Sequence, residues 1–351
     1  MSNLWVMETQ NLYPEMEQNL SIDTLMVAKE ELREDEATRN NALVQMRLWL
    51  KQNNKIIYSR SDDSFLLRFL RAKKFSLPLA QEALERYLLL RQTFGRQFGF
   101  YQFDTTCPRL EELLKLGYIF AVPKRDKNGR RIIITRPGVF NPSKWCNTEM
   151  TRMHAITYET LLEDQENQIR GFVHYTDAAG MCLQQLTLFT PREAIRIVKN
   201  GEQTIPMRHK EIYGVNVPLS LKFALDFGLS LISEKIRSRV KIFNSIKESH
   251  AYIDQSLLPK EYGGEMEMSK MIGKLIFNNT IILQSTFYLF KQMIDLWKQE
   301  LLEKREQILK SEKMSVNEDM FSEGARQGRV SALTNQSHHH MVGSFRQLTV
   351  D

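Results

Sequence analysis

Apolar residues return at helical spacing from Ile22 to Lys51: Leu25, Ala28 and Leu32, then Leu43, Met46, Trp49 and Leu50. A second helical block, Ser61 to Arg71, opens on Ser61 or Asp62 as N-cap, with acidic residues in its first turn. A third runs from Leu79 to Phe94. Pro78 stands at its start, and Gly95 and Gly99 are expected to end it. Residues 21–100 therefore read as a small all-helical unit, preceded by a loosely ordered stretch, 1–20.

The pattern changes near residue 100. After a short helix, Leu110 to Leu116, the run Gly117 to Pro123 and the β-branched run Arg131 to Thr135 read as strands. Between them Asp126-Lys-Asn-Gly129 supplies a reversal. A helix from Asn147 to Asp164, a strand from Gly171 to Asp177, and a helix opened by Thr190-Pro-Arg-Glu193 follow. Threonine as cap, proline at the first position and glutamate completing a capping box mark that last start. Strands at Glu211–Val217 and Val240–Phe243 flank a helix, Leu219 to Ser233. Strands alternating with helices predict an α/β fold with a mostly parallel sheet over residues 101–270. Beyond it, Phe287, Phe290, Ile294, Trp297 and Leu301 form an apolar stripe within a helical extension, 271–313. That stripe is expected to dock on the body. The polar remainder, 314–351, is expected to be mobile.

The 351 residues are 42% hydrophobic and 26% charged, enough apolar material for a core and a cavity. No apolar stretch approaches the ~20 residues of a membrane span. Met1 to Gln18 carries Glu8, Glu15 and Glu17 and does not read as a secretory signal. Three scattered cysteines, Cys107, Cys146 and Cys182, fit a reduced cytoplasmic protein. No phosphate-binding glycine loop, dinucleotide fingerprint, nucleophile elbow or metal-ligand spacing is present, so the chain does not read as an enzyme. No metal or cofactor is implied: His338-His-His340 reads as a solvated run in a loose tail. His154, His174, His209 and His250 stand apart in sequence and read as pocket, core or surface histidines.

Pro218 to Ile232 is apolar almost all round, interrupted by Lys222, Asp226 and serines. Such a helix is either a core helix or a lid, with one apolar face for a ligand and another for a bilayer. Its flanks favour the lid. Lys235, Arg237, Arg239 and Lys241 follow it, and Arg208 and Lys210 precede it. Arg68, Arg71, Lys73 and Lys74 add a third basic cluster, and the formal net charge is +6. An anionic lipid surface attracts such residues by ~1 kcal/mol each, and several together can grip a phosphoinositide headgroup. Nucleic acid is disfavoured, because aromatics are not interleaved with these clusters.

Asp63-Ser-Phe-Leu-Leu-Arg-Phe-Leu-Arg-Ala-Lys-Lys-Phe75, Gly171 to Gly180, and Leu257-Leu-Pro-Lys-Glu-Tyr-Gly-Gly264 resemble the signatures of the CRAL-TRIO (Sec14-like) lipid-binding family. The ending Gly343 to Asp351 further resembles insect members of its tocopherol- and retinal-transfer branch. The resemblance implies a hydrophobic pocket floored by the sheet and closed by a helical gate, here Pro218 to Ser233, behind an N-terminal helical domain. Carried over by position, the pocket wall would include His154, Tyr158, Phe172, Ile197, Ile205, Met207, Ile212, Phe223, Ala224 and Phe227. A phosphoinositide-binding patch would comprise Lys73, Arg208, Lys210, Lys235 and Arg239. One departure is Ala179, where the family often has an acidic residue before the turn glycine. His154 and Tyr158 would make this wall polar enough to hydrogen-bond a hydroxyl or aldehyde on the ligand. The implied function is non-enzymatic binding and intermembrane transfer of a small hydrophobic ligand by a cytoplasmic protein that visits membranes. The alternative is a lipid-sensing module that presents its ligand to a protein partner, with the C-terminal helix as the partner surface.

Overall fold

The computed structural model describes residues 20–98, 104, 106–264 and 285–326. The N-terminal stretch expected to be loose, up to residue 19, and the tail beyond residue 326 lie outside the described residues. Arg33, in a left-handed conformation (φ 64), divides the first helical block. It separates α1 (Ile22–Val27) and a π-type turn (Ala28–Leu32) from α2 (Glu36–Gln52). A short strand, β1 (Ile56–Tyr58), leads to α3 (Asp63–Ala72), where Asp62 caps by accepting from the Phe65 amide. Helix α4 (Leu77–Phe98) runs through Gly95, which was expected to end it. Phe94 is 2% exposed. Burying it offsets the ~1 kcal/mol that glycine costs inside a helix.

After α5 (Pro108–Lys115), β2 (Ile119–Arg125) and β3 (Arg131–Thr135) form an antiparallel pair. Gly129, at φ +73, closes their turn by donating its amide to Asp126 O. Helices α6 (Asn147–Leu162) and α7 (Gln165–Arg170) precede β4 (Phe172–Asp177). Gly171, at φ +83, starts β4 where a Cβ would lie 2.5 Å from Arg208 O, so a side chain there would meet backbone. A turn of helix, α8 (Leu183–Leu186), leads to α9 (Pro191–Thr204), opened by the expected Thr190–Glu193 capping box. Then come β5 (His209–Val215), α10 (Lys222–Leu231), α11 (Glu234–Arg237), β6 (Val240–Phe243) and α12 (Ile246–Ser249). The sheet order is β2-β3-β4-β5-β6, with every pair after β2–β3 parallel.

The long helix α13 (Ser285–Lys310) packs on α6 and β2. Ile294, Trp297 and Leu301 of the expected stripe are at most 4% exposed, as are Met293 and Ile308. The Phe287 and Phe290 side chains lie outside the described residues. The apolar face set aside for a protein partner is thus spent on the body. The expectation of a mobile stretch from residue 314 is also overturned as far as Arg326. Strand β7 (Ser315–Val316) pairs with β1, and α14 (Glu323–Arg326) lies against α4. Met314, Val316, Phe321 and Ala325 enter the core of the N-terminal helices. Four apolar residues spaced along a polar run suffice to anchor it. Among the described residues no helix is long and apolar enough to cross a membrane.

Candidate ligand cavity and its basic neighbour

A cavity of about 680 Å³ opens between the sheet and the helices. On α6, Met150, His154 and Tyr158 recur every fourth residue, so one helical face looks into it. Alternation along β4 brings His174 and Thr176 to its floor, and β5 adds His209 and Ile212. Helix α9 contributes Ile197 and Val198, and α4 contributes Leu90 and Phe94, so the N-terminal helices supply part of the wall.

Five of the ten pocket residues read from the sequence line this cavity: His154, Tyr158, Ile197, Ile205 and Ile212. Phe172 does not. It sits at the first position of β4, 0% exposed, where the main core fills the space around it. Met207 is buried in the same core and lines the neighbouring cavity instead. The gate residues Phe223, Ala224 and Phe227 do not line the cavity either. Helix α10 lies against α9 and buries none of its residues, leaving Phe223 63% and Phe227 43% exposed. Ile232 and Ile236, beyond the helix, border the cavity on that side.

Tyr118, His174 and His209 also line the cavity, outside the ten residues carried over; the sequence had left the two histidines open between pocket, core and surface. The Tyr118 hydroxyl lies 3.0 Å from His154 Nε2, and Tyr158 Oη lies 3.1 Å from His154 Nδ1. His174 Nε2 and His209 Nδ1 are 2.8 Å apart. Burial lowers His154 to about 4, and burial with nearby Arg239 lowers His209 to about 4. Burial, then His209 and His154, push His174 well below its ordinary value. Burial raises the Tyr158 phenol to about 12. These three imidazoles and the Tyr158 phenol are therefore uncharged near neutral pH.

A second cavity, about 340 Å³, shares Glu202, Thr204, Ile205, His209 and Ile236 with the first. All five basic residues read from the sequence line it: Lys73, Arg208, Lys210, Lys235 and Arg239. Burial, then Arg86, lowers the Lys73 ammonium. Burial also lowers Arg208 and Lys210, each partly compensated by Glu31. Lys210 Nζ donates to Glu31 at 2.6 Å, and Arg208 pairs with the same carboxylate. Partial burial raises the Glu31 carboxyl, but Lys210 and Arg208 hold it below the usual range. A carboxylate thus already sits between two of the cations.

Arg68 and Arg71, counted in the third basic cluster, are not surface charges. Arg68 is 0% exposed and pairs with Glu159 and Glu163 at 2.8 and 2.6 Å. Arg71, also 0% exposed, pairs with Glu34 at 2.6 Å. On α3 both are buried, Arg71 bordering the basic cavity that Lys73 and Lys74, past the helix end, also line.

A family model described as CRAL/TRIO domain matches residues 115–264, and one described as CRAL/TRIO, N-terminal domain matches residues 28–86. "Alpha-tocopherol transfer protein-like" of Homo sapiens is 30% identical over 247 residues, 70% of this chain and 71% of that protein. "Clavesin-2" of Mus musculus is 28% identical over 250 residues, 71% of this chain and 76% of that protein. A solved structure titled "Crystal structure of Sfh5" covers 75% of this chain and 99% of its own, at 14% identity and a TM-score of 0.46.

Proposed function

The chain belongs to the CRAL/TRIO family, and from that premise we propose that it is a non-enzymatic carrier that holds one small hydrophobic ligand in the larger cavity and exchanges it at an anionic membrane. The observation that carries this reading is the adjacency of the two cavities. One is walled mainly by apolar side chains, the other by cations, and they share a wall. A phosphoinositide headgroup in the basic cavity would press on Ile205, His209 and Ile236, which also line the ligand's side. Leu219, Phe223 and Phe227 are 91, 63 and 43% exposed and lie along the same stretch of chain. They give the protein an apolar face for the bilayer.

The test is transfer of a fluorescent tocopherol or retinoid analogue between vesicles. Transfer should be faster when acceptor vesicles carry phosphoinositide, and Lys235→Ala with Arg239→Ala should remove that acceleration while ligand binding persists. Phe223→Asp should slow transfer in the same assay. No transfer of any lipid probe would defeat the carrier reading. Stoichiometric binding without transfer would favour the alternative, a lipid-sensing module that presents its ligand to a partner protein.

A further inference from the structure

The basic cavity already holds an anion that belongs to the chain. Among the described residues, seven basic and two acidic side chains line it, the acidic ones being Glu31 and Glu202. Glu202 is held by the Ser233 amide at 3.0 Å. Glu31 accepts from both Arg208 and Lys210, and through a single oxygen, Oε2. No carboxylate among the described residues lies within ion-pair distance of Lys73, Lys74 or Lys235. Burial, then Arg86 and Lys235, lower the Lys73 ammonium, with Glu82 opposing. Positive charge is therefore in excess here, and one end of that excess is covered by Glu31.

The segment that carries Glu31 is fixed, whereas its side chain is free to leave. Ala28 and Leu32, on either side of it, are buried against Ile169. Thr24 Oγ1 donates to Glu166 and accepts from Arg170, each at 3.1 Å. Glu34, three residues on, shows the contrasting case. It bonds Arg71 at 2.6 and 2.9 Å, and both side chains are buried, so that pair stays closed. The Glu31 side chain is 42% exposed and can swing into water by rotation about its own bonds, with the backbone in place. An ion pair so open to water adds little stability, so its partners are available to a stronger anion. A phosphomonoester is one: it carries nearly two charges and can give each cation an oxygen of its own. Carboxylate and phosphate cannot hold the same two cations together, because like charges that close repel.

We propose that Glu31 is a displaceable plug in the basic cavity, so that a phosphomonoester enters by exchange and drives the Glu31 carboxylate off Arg208 and Lys210 into water. The proposal rests on the reading of that cavity as a headgroup site. Glu31 then sets how strong an anion must be to occupy the cavity, and returns to its two cations when the anion leaves.

The test is binding of the full chain to two probes. One is soluble inositol trisphosphate, followed by calorimetry. The other is phosphatidylcholine vesicles carrying phosphatidylinositol bisphosphate, followed by sedimentation. Glu31→Gln and Glu31→Ala, checked for native melting, should each bind both probes about fivefold more tightly than the wild type. Glu30→Gln removes the same charge from an exposed neighbour on the same turn, and should stay within about twofold of wild type. Unchanged or weaker binding by the Glu31 variants, or an equal gain in Glu30→Gln, would overturn the plug while leaving the headgroup site standing. A gain for the soluble trisphosphate with no vesicle binding by any chain would keep the plug and assign the cavity to free phosphates. Failure of every chain to bind either probe would bring down the headgroup reading, and the plug with it.

Discussion

Lys74 holds a backbone conformation that glycine adopts more easily. Its φ is 50, and it stands at the C′ position of a Schellman turn in which Phe75 N bonds Leu70 O and Lys74 N bonds Arg71 O. Lys74→Gly should raise the unfolding free energy by about 1 kcal/mol in urea titration. It should also weaken binding to phosphoinositide vesicles, because Lys74 lines the basic cavity. A loss of stability would refute the strain. The cavity histidines set a pH dependence. Folded His154 titrates near 4 against an ordinary 6.5, so the unfolded chain binds the extra proton between those values. The contribution is complete above about pH 6.5 and is lost as pH falls towards 4, on the order of 3 kcal/mol for His154. His154→Gln should therefore flatten the fall in melting temperature on acidification; an unchanged slope would contradict the assignment. At this scale the sequence was partly legible. His154 and Tyr158 show themselves by helical spacing. His174 and His209 meet only through strand register, with a shift between Phe172 and Val173 against β5, which no single sequence displays.

Helix α3 joins the two parts of the molecule by buried charge. Arg68 reaches Glu159 and Glu163, Arg60 reaches Glu163 at 2.7 Å, and Tyr87 donates to Glu159. Burial raises the Glu163 carboxyl, but Arg68 and Arg60 outweigh it and hold it low. Arg68→Ala would leave Glu159 with the Tyr87 hydroxyl and Glu163 with Arg60 alone, and should cost ~3 kcal/mol, seen as a lower urea midpoint. A loss within the range of a surface pair would mean that water relieves the site. Helix starts were readable because caps are local chemistry: Asp62 at α3, and Thr190, Pro191 and Glu193 at α9. The gate was readable as an apolar helix but not in its orientation. A helix apolar on every side carries no periodic signal of which face turns inward.

Across the described residues, strand and helix alternation was enough to read the α/β class, while the packing of residues 314–326 against the N-terminal helices was not legible. Met314, Val316, Phe321 and Ala325 are few and lie in a polar run, and their partners are more than two hundred residues away. Truncation after Lys313 should lower the melting temperature and expose the α4 surface that they cover; an unchanged transition would contradict that anchoring. The account as a whole requires a hollow that holds one lipid. Gly201 lines it, and a Cβ there would meet nothing within 4 Å, so Gly201→Phe can fill the space without a backbone clash. Native mass spectrometry of the full chain purified from cells should find one lipid per wild-type chain and none on a folded Gly201→Phe. A lipid-free wild type after exposure to membranes, or lipid retained by the filled variant, would contradict it.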